Sequence, residues 1–237
     1  MSSLRFVISA QTFMQNVLND DNFEIVTESH VCDRSDILIE IDNMMKADKN
    51  IAEIQPYYKD QVKEFEAGPH MTGVVQRVAA KLGIESKELN PEIITAMYEV
   101  SAYEYSIDQN RIPPWYKVFC PDDLEILEYA WDISWYYVIG YGNPYNAKLA
   151  CPTAIRLEER FRNKISGEGP DGVFYFASEK NVLVMLIMLG LANGDAPFTA
   201  SNYKCMKDLE WRTSLYGPFA ANFIAVIIKS HFISTKN

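Results

Sequence analysis

One short turn in the chain carries residue types suited to phosphate: Phe176-Ala177-Ser178-Glu179-Lys180. Val173 to Phe176 reads as a buried strand, and Ala177-Ser178-Glu179-Lys180 turns it straight into an apolar helix that ends near Gly190. The first turn of a helix leaves backbone N–H groups without partners, and such a start attracts anions. A hydroxyl at Ser178 and a cation at Lys180 reinforce that tendency. Glu179 between them opposes it. No other cluster competes. His30, His70 and His231 stand apart from one another and read as surface or hydrogen-bonded histidines. Asp122 and Asp123 read as charges at a helix start, where the dipole favours them, and not as an acid pair. Cys32, Cys120, Cys151 and Cys205 fit no metal-ligand spacing and read as buried or free thiols. The chain therefore implies no metal and no cofactor.

The composition narrows the partners. Of 237 residues, 48% are hydrophobic and 13% aromatic, values that belong to a folded chain of one large domain or a small pair. The net charge of −10 argues against a nucleic-acid groove but leaves room for a local basic pocket and a small anion. The longest apolar run, Val182 to Leu191, is half a membrane span and reads as core. No signal peptide is visible at Met1 to Val7.

The elements that must position the turn follow from periodicity and punctuation. Leu4 to Leu18 reads as a helix broken by Asp20-Asp21-Asn22. Phe23 to Val26 is strand-like, and Ile37 to Ile41 is ambiguous. Asn50 opens a helix through Phe65, with Pro56 inside it or breaking it, and Gly68-Pro69 ends it. Val74 to Leu82 repeats at helical spacing and stops at Gly83. Asn90-Pro91 is a cap followed by a first-turn proline, with Ile94, Met97, Tyr98 and Tyr105 on one face. After Pro113-Pro114-Trp115 a helix runs from Asp122 to Val138, and another from Cys151 to Ile165. Ser166 to Asp171 is a loop. Trp211 to Leu215 and Phe223 to Ile228 read as strands joined across Gly217-Pro218. This order predicts an α/β fold, a sheet core flanked by helices with a mostly helical insertion.

The turn also resembles a known motif. Read through Tyr175-Phe176 and Leu189-Gly190, it is similar to the C-terminal active-site segment of the histidine acid phosphatases, most closely the multiple inositol polyphosphate phosphatases. Their segment runs Tyr-Phe-x-His-Ala-Glu-Thr and continues into an apolar helix. Further matching words are Lys63-Glu64-Phe65-x-x-Gly68-Pro69, Met97-Tyr98-Glu99, Pro114-Trp115, Tyr136-Tyr137-x-x-Gly140-Tyr141-Gly142, Trp211-Arg212-Thr213-Ser214 and Pro218-Phe219-Ala220-Ala221-Asn222. Cys151 also stands where the family has a cysteine, while Ser101 and Tyr116 stand in place of two others.

The resemblance implies a histidine-phosphatase-like sheet core from 1–43 and 166–237, incomplete here, and a helical cap from 44–165. It implies hydrolysis of inositol polyphosphates through a phosphohistidine. It also places Ser178 where the family has its second histidine, and Lys180 where it has the proton-donating acid. Glu179 is one position away from that acid, which turns its side chain by about 100° around a helix. Arg5 to Phe13 matches the family's Arg-x₇-Phe, in which the arginine contacts phosphate. No Arg-His-Gly-x-Arg-x-Pro nucleophile motif occurs, so the chain reads as beginning just after it. The expectation is thus an inactive relative or fragment with a weak anion site at Arg5, Ser178 and Lys180. An uncovered sheet edge would favour self-association. Two alternatives stay open: an enzyme whose upstream segment supplies the nucleophile, and a protein-interaction module built on the cap. The family is secretory or lumenal, and the compartment of this chain stays open.

Overall fold

Punctuation in the sequence sets most of the helix boundaries. The computed structural model describes residues 4–18, 41, 44–45, 48–50, 55–194, 196–205 and 210–228, with only the backbone of Arg5, Gln55 and Pro56. Helix α1 is Leu4–Phe13 and continues as a π-helical turn, Met14–Leu18. Helix α2 is Gln55–Glu66, with Pro56 in its first turn, where a missing N–H costs nothing. Helix α3 is Pro69–Leu82; Gly68 precedes it, and Gly83 closes it at φ 71°, a left-handed conformation that favours glycine. Helix α4 is Pro91–Ile107. The Asn90 side chain accepts a bond from the Ile93 N–H at 2.8 Å and so satisfies one of the free donors at its start.

The next helices build the core. Helix α5, Pro121–Val138, starts with Asp123 turned inward. Its Oδ2 accepts from the Cys120 N–H at 2.9 Å, and its Oδ1 accepts from Arg77 Nε at 2.7 Å. Burial alone would raise the Asp123 pKa, but the Cys120 and Arg77 hydrogen bonds outweigh it and hold the carboxyl below its usual range. Asp123 is thus a helix-start charge, as its sequence position implied, and also a tie between α3 and α5. Helix α6 is Cys151–Ile165, α7 is Glu179–Met188 and α8 is the single turn Thr213–Tyr216. One continuous apolar core joins Phe65, Val74, Ile94 and Ile133 to Leu183, Phe198 and Trp211. Helix α2 lies along α5, and α7 packs on the 3₁₀ turn Asn146–Ala150.

The α/β expectation fails here. Among the described residues there is no strand and no sheet core. Val173 to Phe176 forms no ladder, and Val173, Phe174 and Tyr175 are 40%, 53% and 49% exposed. Phe223 to Ile228 is likewise neither strand nor helix, and Thr213–Tyr216 is helical instead of extended. Ile41 is helical and buried, while 23–26 and 37–40 lie outside the described residues. The physical reason is locality. A helix satisfies its own N–H and C=O groups within four residues, whereas a strand must find a neighbour to take them. High β-propensity without a neighbour yields an unpaired segment.

The Asn90 cap gives a simple test of the helical boundary. Asn90→Ala should destabilise the protein by about 1 kcal/mol, because the Ile93 N–H loses its acceptor. A denaturation midpoint unchanged from the parent protein would show that the cap bond does not form.

Candidate anion site at the start of α7

Ser178 occupies the N-cap of α7 with extended backbone, φ −81° and ψ 165°. Its carbonyl accepts from the Asn181 N–H at 3.1 Å, which closes the first turn. Its hydroxyl makes no capping bond to the backbone. It instead lies 3.5 Å from Asn181 Nδ2, a long contact. The hydroxyl is therefore not committed to the helix end. Ser178, Glu179 and Lys180 are all half-buried.

The approach to this turn comes from α1. Phe13 packs its ring against Phe174 at 5.1 Å and Phe176 at 5.6 Å between centroids. The end of α1 is thereby fixed against Phe176, two residues before Ser178. Arg5 stands in the first turn of α1, eight residues earlier, so its backbone is about 12 Å from Phe13 along the helix axis. Its side chain lies outside the description. The structure thus brings Ser178, Glu179 and Lys180 together and leaves Arg5 placed only by its helix. Glu179 is contacted from the other side. A methyl placed on Gly217 would sit 3.5 Å from Glu179 Cβ and 3.5 Å from Leu183 Cδ1, so the segment after α8 passes close to the first turn of α7.

The remaining sequence candidates fall elsewhere. His70 lies between aromatic rings, 4.7 Å from Tyr203 and 6.2 Å from Phe65 by centroid. Burial and then the charge of Lys204 lower its pKa, which suits a packed neutral ring. His30, His231 and Cys32 lie outside the described residues. Cys120, Cys151 and Cys205 are free thiols. Among the described residues no group of three metal-ligating side chains converges, and no helix is long and apolar enough to cross a membrane. Two clefts, of about 350 and 530 Å³, are lined mainly by apolar side chains of α7 with 215–223 and of α6 with Met188; neither includes Ser178 or Lys180.

Sequence reasoning missed a second polar centre between α5 and α8. Arg212 Nη2 donates to both Glu128 carboxylate oxygens, at 2.9 and 2.8 Å, and Ser214 Oγ also bonds Glu128. One turn along, Asp132 is fully buried; its Oδ1 accepts from the Thr213 N–H at 2.8 Å. Burial pushes its carboxyl up to about 7, against the hydrogen bond from the Thr213 N–H. Asn181 is also buried, with its Oδ1 unpartnered. The available signal was two acids four residues apart, Glu128 and Asp132, within the otherwise apolar helical run Leu127-Glu128-Tyr129-Ala130-Trp131-Asp132-Ile133.

Comparison with known proteins agrees with the resemblance. Residues 2–230 match the family described as the histidine phosphatase superfamily (branch 2). The chain is similar to multiple inositol polyphosphate phosphatase 1 of Drosophila melanogaster, with 32% identity over 172 residues, covering 71% of this chain and 36% of that protein. It is similar to the Homo sapiens protein of the same name at 27% identity, covering 70% and 35%. The Gallus gallus protein of that name is also 27% identical, covering 70% and 38%. The chain thus spans little more than a third of the length of these curated relatives. No solved structure matches it.

Proposed function

The chain belongs to the histidine phosphatase superfamily (branch 2), and from that premise we propose that it is a non-hydrolytic relative that binds inositol phosphates weakly at the start of α7. The observation that carries this reading is the first turn of α7 itself. In the family pattern it would present a histidine and a proton-donating acid; here Ser178 and Lys180 hold those positions. A hydroxyl and an ammonium can hold a phosphate. Neither matches the role of a nucleophile-assisting imidazole or of an acid that protonates a leaving alkoxide at neutral pH. In the same reading, 44–165 is the cap and 1–43 with 166–237 is the part it covers, while Arg5 adds a third contact. The exposed apolar stretch from Phe219 to Ile228 supports self-association.

The balance of charge sets the expected strength. Helix N–H groups, Ser178 and Lys180 attract a phosphate. Glu179 repels it at close range, and a net charge of −10 repels it from afar. Binding of phytate is therefore expected at a Kd near or above about 1 mM, roughly −4 kcal/mol. Calorimetry against phytate at low salt tests this, with Ser178→Ala and Arg5→Ala as controls. Micromolar affinity lost in both variants would overturn the weak-site reading and make the turn a working receptor.

A further inference from the structure

The buried acid on α5 has no part in the anion site, and its surroundings are unusual for a carboxylate. Asp132 is 0% exposed. Its Oδ1 holds the Thr213 amide, the first N–H of α8, at 2.8 Å. Its Oδ2 has no hydrogen-bond partner among the described residues, and neither has the Thr213 hydroxyl oxygen or Trp211 Nε1 in the same short segment. An ionised carboxylate with one bare oxygen in the core is costly, whereas a carboxylic acid there can be neutral and can still accept the Thr213 N–H. The adjacent cation offsets this only in part, because Arg212 is already engaged by Glu128 through both of its carboxylate oxygens.

We propose that Asp132 is a proton-sensitive latch: its neutral form holds residues 211–217 on α5, and its ionised form loosens that segment and the wall it presents to α7. The wall is the Gly217 approach to Glu179 and Leu183. The latch does not depend on the anion-binding reading, because it concerns how α8 is held and not what α7 binds.

The groups facing Asp132 are few. Glu128, on its own helix, adds negative charge and favours the proton; Arg212, from the latched segment, favours ionisation. Tyr98 from α4 and Tyr129 from α5 are each pushed up to about 12, first by burial, so both stay neutral across the physiological range. Asp132 itself is pushed up to about 7. The sign follows. An acid whose folded pKa lies above its unfolded value binds the extra proton only when folded, so its contribution is complete below the unfolded value of about 4 and is lost as pH rises through about 7.

Hydrogen exchange of the peptide spanning 211–217 tests this on the whole chain at about pH 6 and about pH 8. After correction for the intrinsic pH dependence of exchange, protection should fall about tenfold at the higher pH in the parent protein, and Asp132→Asn should abolish the difference. Equal protection at both pH values, or the same fall in Asp132→Asn, would overturn the proposal. Should that variant fail to fold, the parent protein labelled with ¹³C at the aspartate carboxyls decides the matter. One carboxyl titrating near pH 7 supports the latch; all of them titrating below about pH 5 removes it.

Discussion

Incubated with phytate or an aryl phosphate, the purified chain is expected to release no phosphate above a buffer blank. Two losses act together on the reaction. On the proposed reading, Ser178 stands in place of an imidazole beside the reacting phosphoryl group, and Lys180 in place of the acid that would protonate the departing alkoxide. Removing general-acid help alone typically costs about 10²–10⁴-fold. Any longer form of the protein carries the same Ser178 and Lys180, so the expectation does not depend on what lies upstream. The informative comparison is Ser178→His with Lys180→Glu, assayed beside the parent chain. Turnover in the parent that survives repurification and disappears in Ser178→Ala would sink the non-hydrolytic reading.

Phe65→Ala is expected to remove about 3–5 kcal/mol of stability, the cost of deleting a buried phenyl ring and leaving its cavity. Phe65 is 1% exposed. Its ring centroid lies 5.1 Å from Tyr129 on α5 and 5.8 Å from Tyr203, so it is the point where α2, α5 and the 3₁₀ turn Tyr203–Cys205 meet. A domain of this kind has only about 5–15 kcal/mol in total. The chemical denaturation midpoint should fall accordingly with an unchanged slope. Ile107→Ala, at a position 85% exposed, is the control and should change stability by less than about 0.5 kcal/mol. Equal shifts in the two variants would mean that the α2–α5 seam is not the core.

How much of this was legible beforehand depended on distance along the chain. Asn90-Pro91, Gly83 and Gly68-Pro69 act within one turn, and each marks a helix boundary where it was read. The turn at Ala177 to Lys180 holds the start of α7, with Ser178 at its N-cap, for the same reason, since a helix end is a local property. The strands were misread because Val173 to Phe176 and Phe223 to Ile228 announce only propensity; pairing requires a second segment that periodicity does not name. Asp132 was missed for a related reason. A single acid on a helix reads as solvent-facing, and only the return of Trp211 to Thr213, some eighty residues later, seals it from water. The Asp123 tie to Arg77 was half visible: its position at a helix start was clear, but its partner lies on a different helix.

The unpaired stretch at 222–228 has a consequence for the protein's life in a cell. Asn222-Phe223-Ile224-Ala225-Val226-Ile227-Ile228 contains no charge and no proline, and Ile224, Val226 and Ile228 are 77%, 70% and 84% exposed. Such a window is what chaperones grip and what seeds fibrillar stacking when it is left open. Its exposure belongs to the folded molecule and does not await unfolding. Raising the stability of the helical core would therefore leave this stretch as visible to the quality-control machinery as before. Steady-state abundance would then follow how often that stretch is met, and Val226→Lys, which breaks the uncharged run, would raise it.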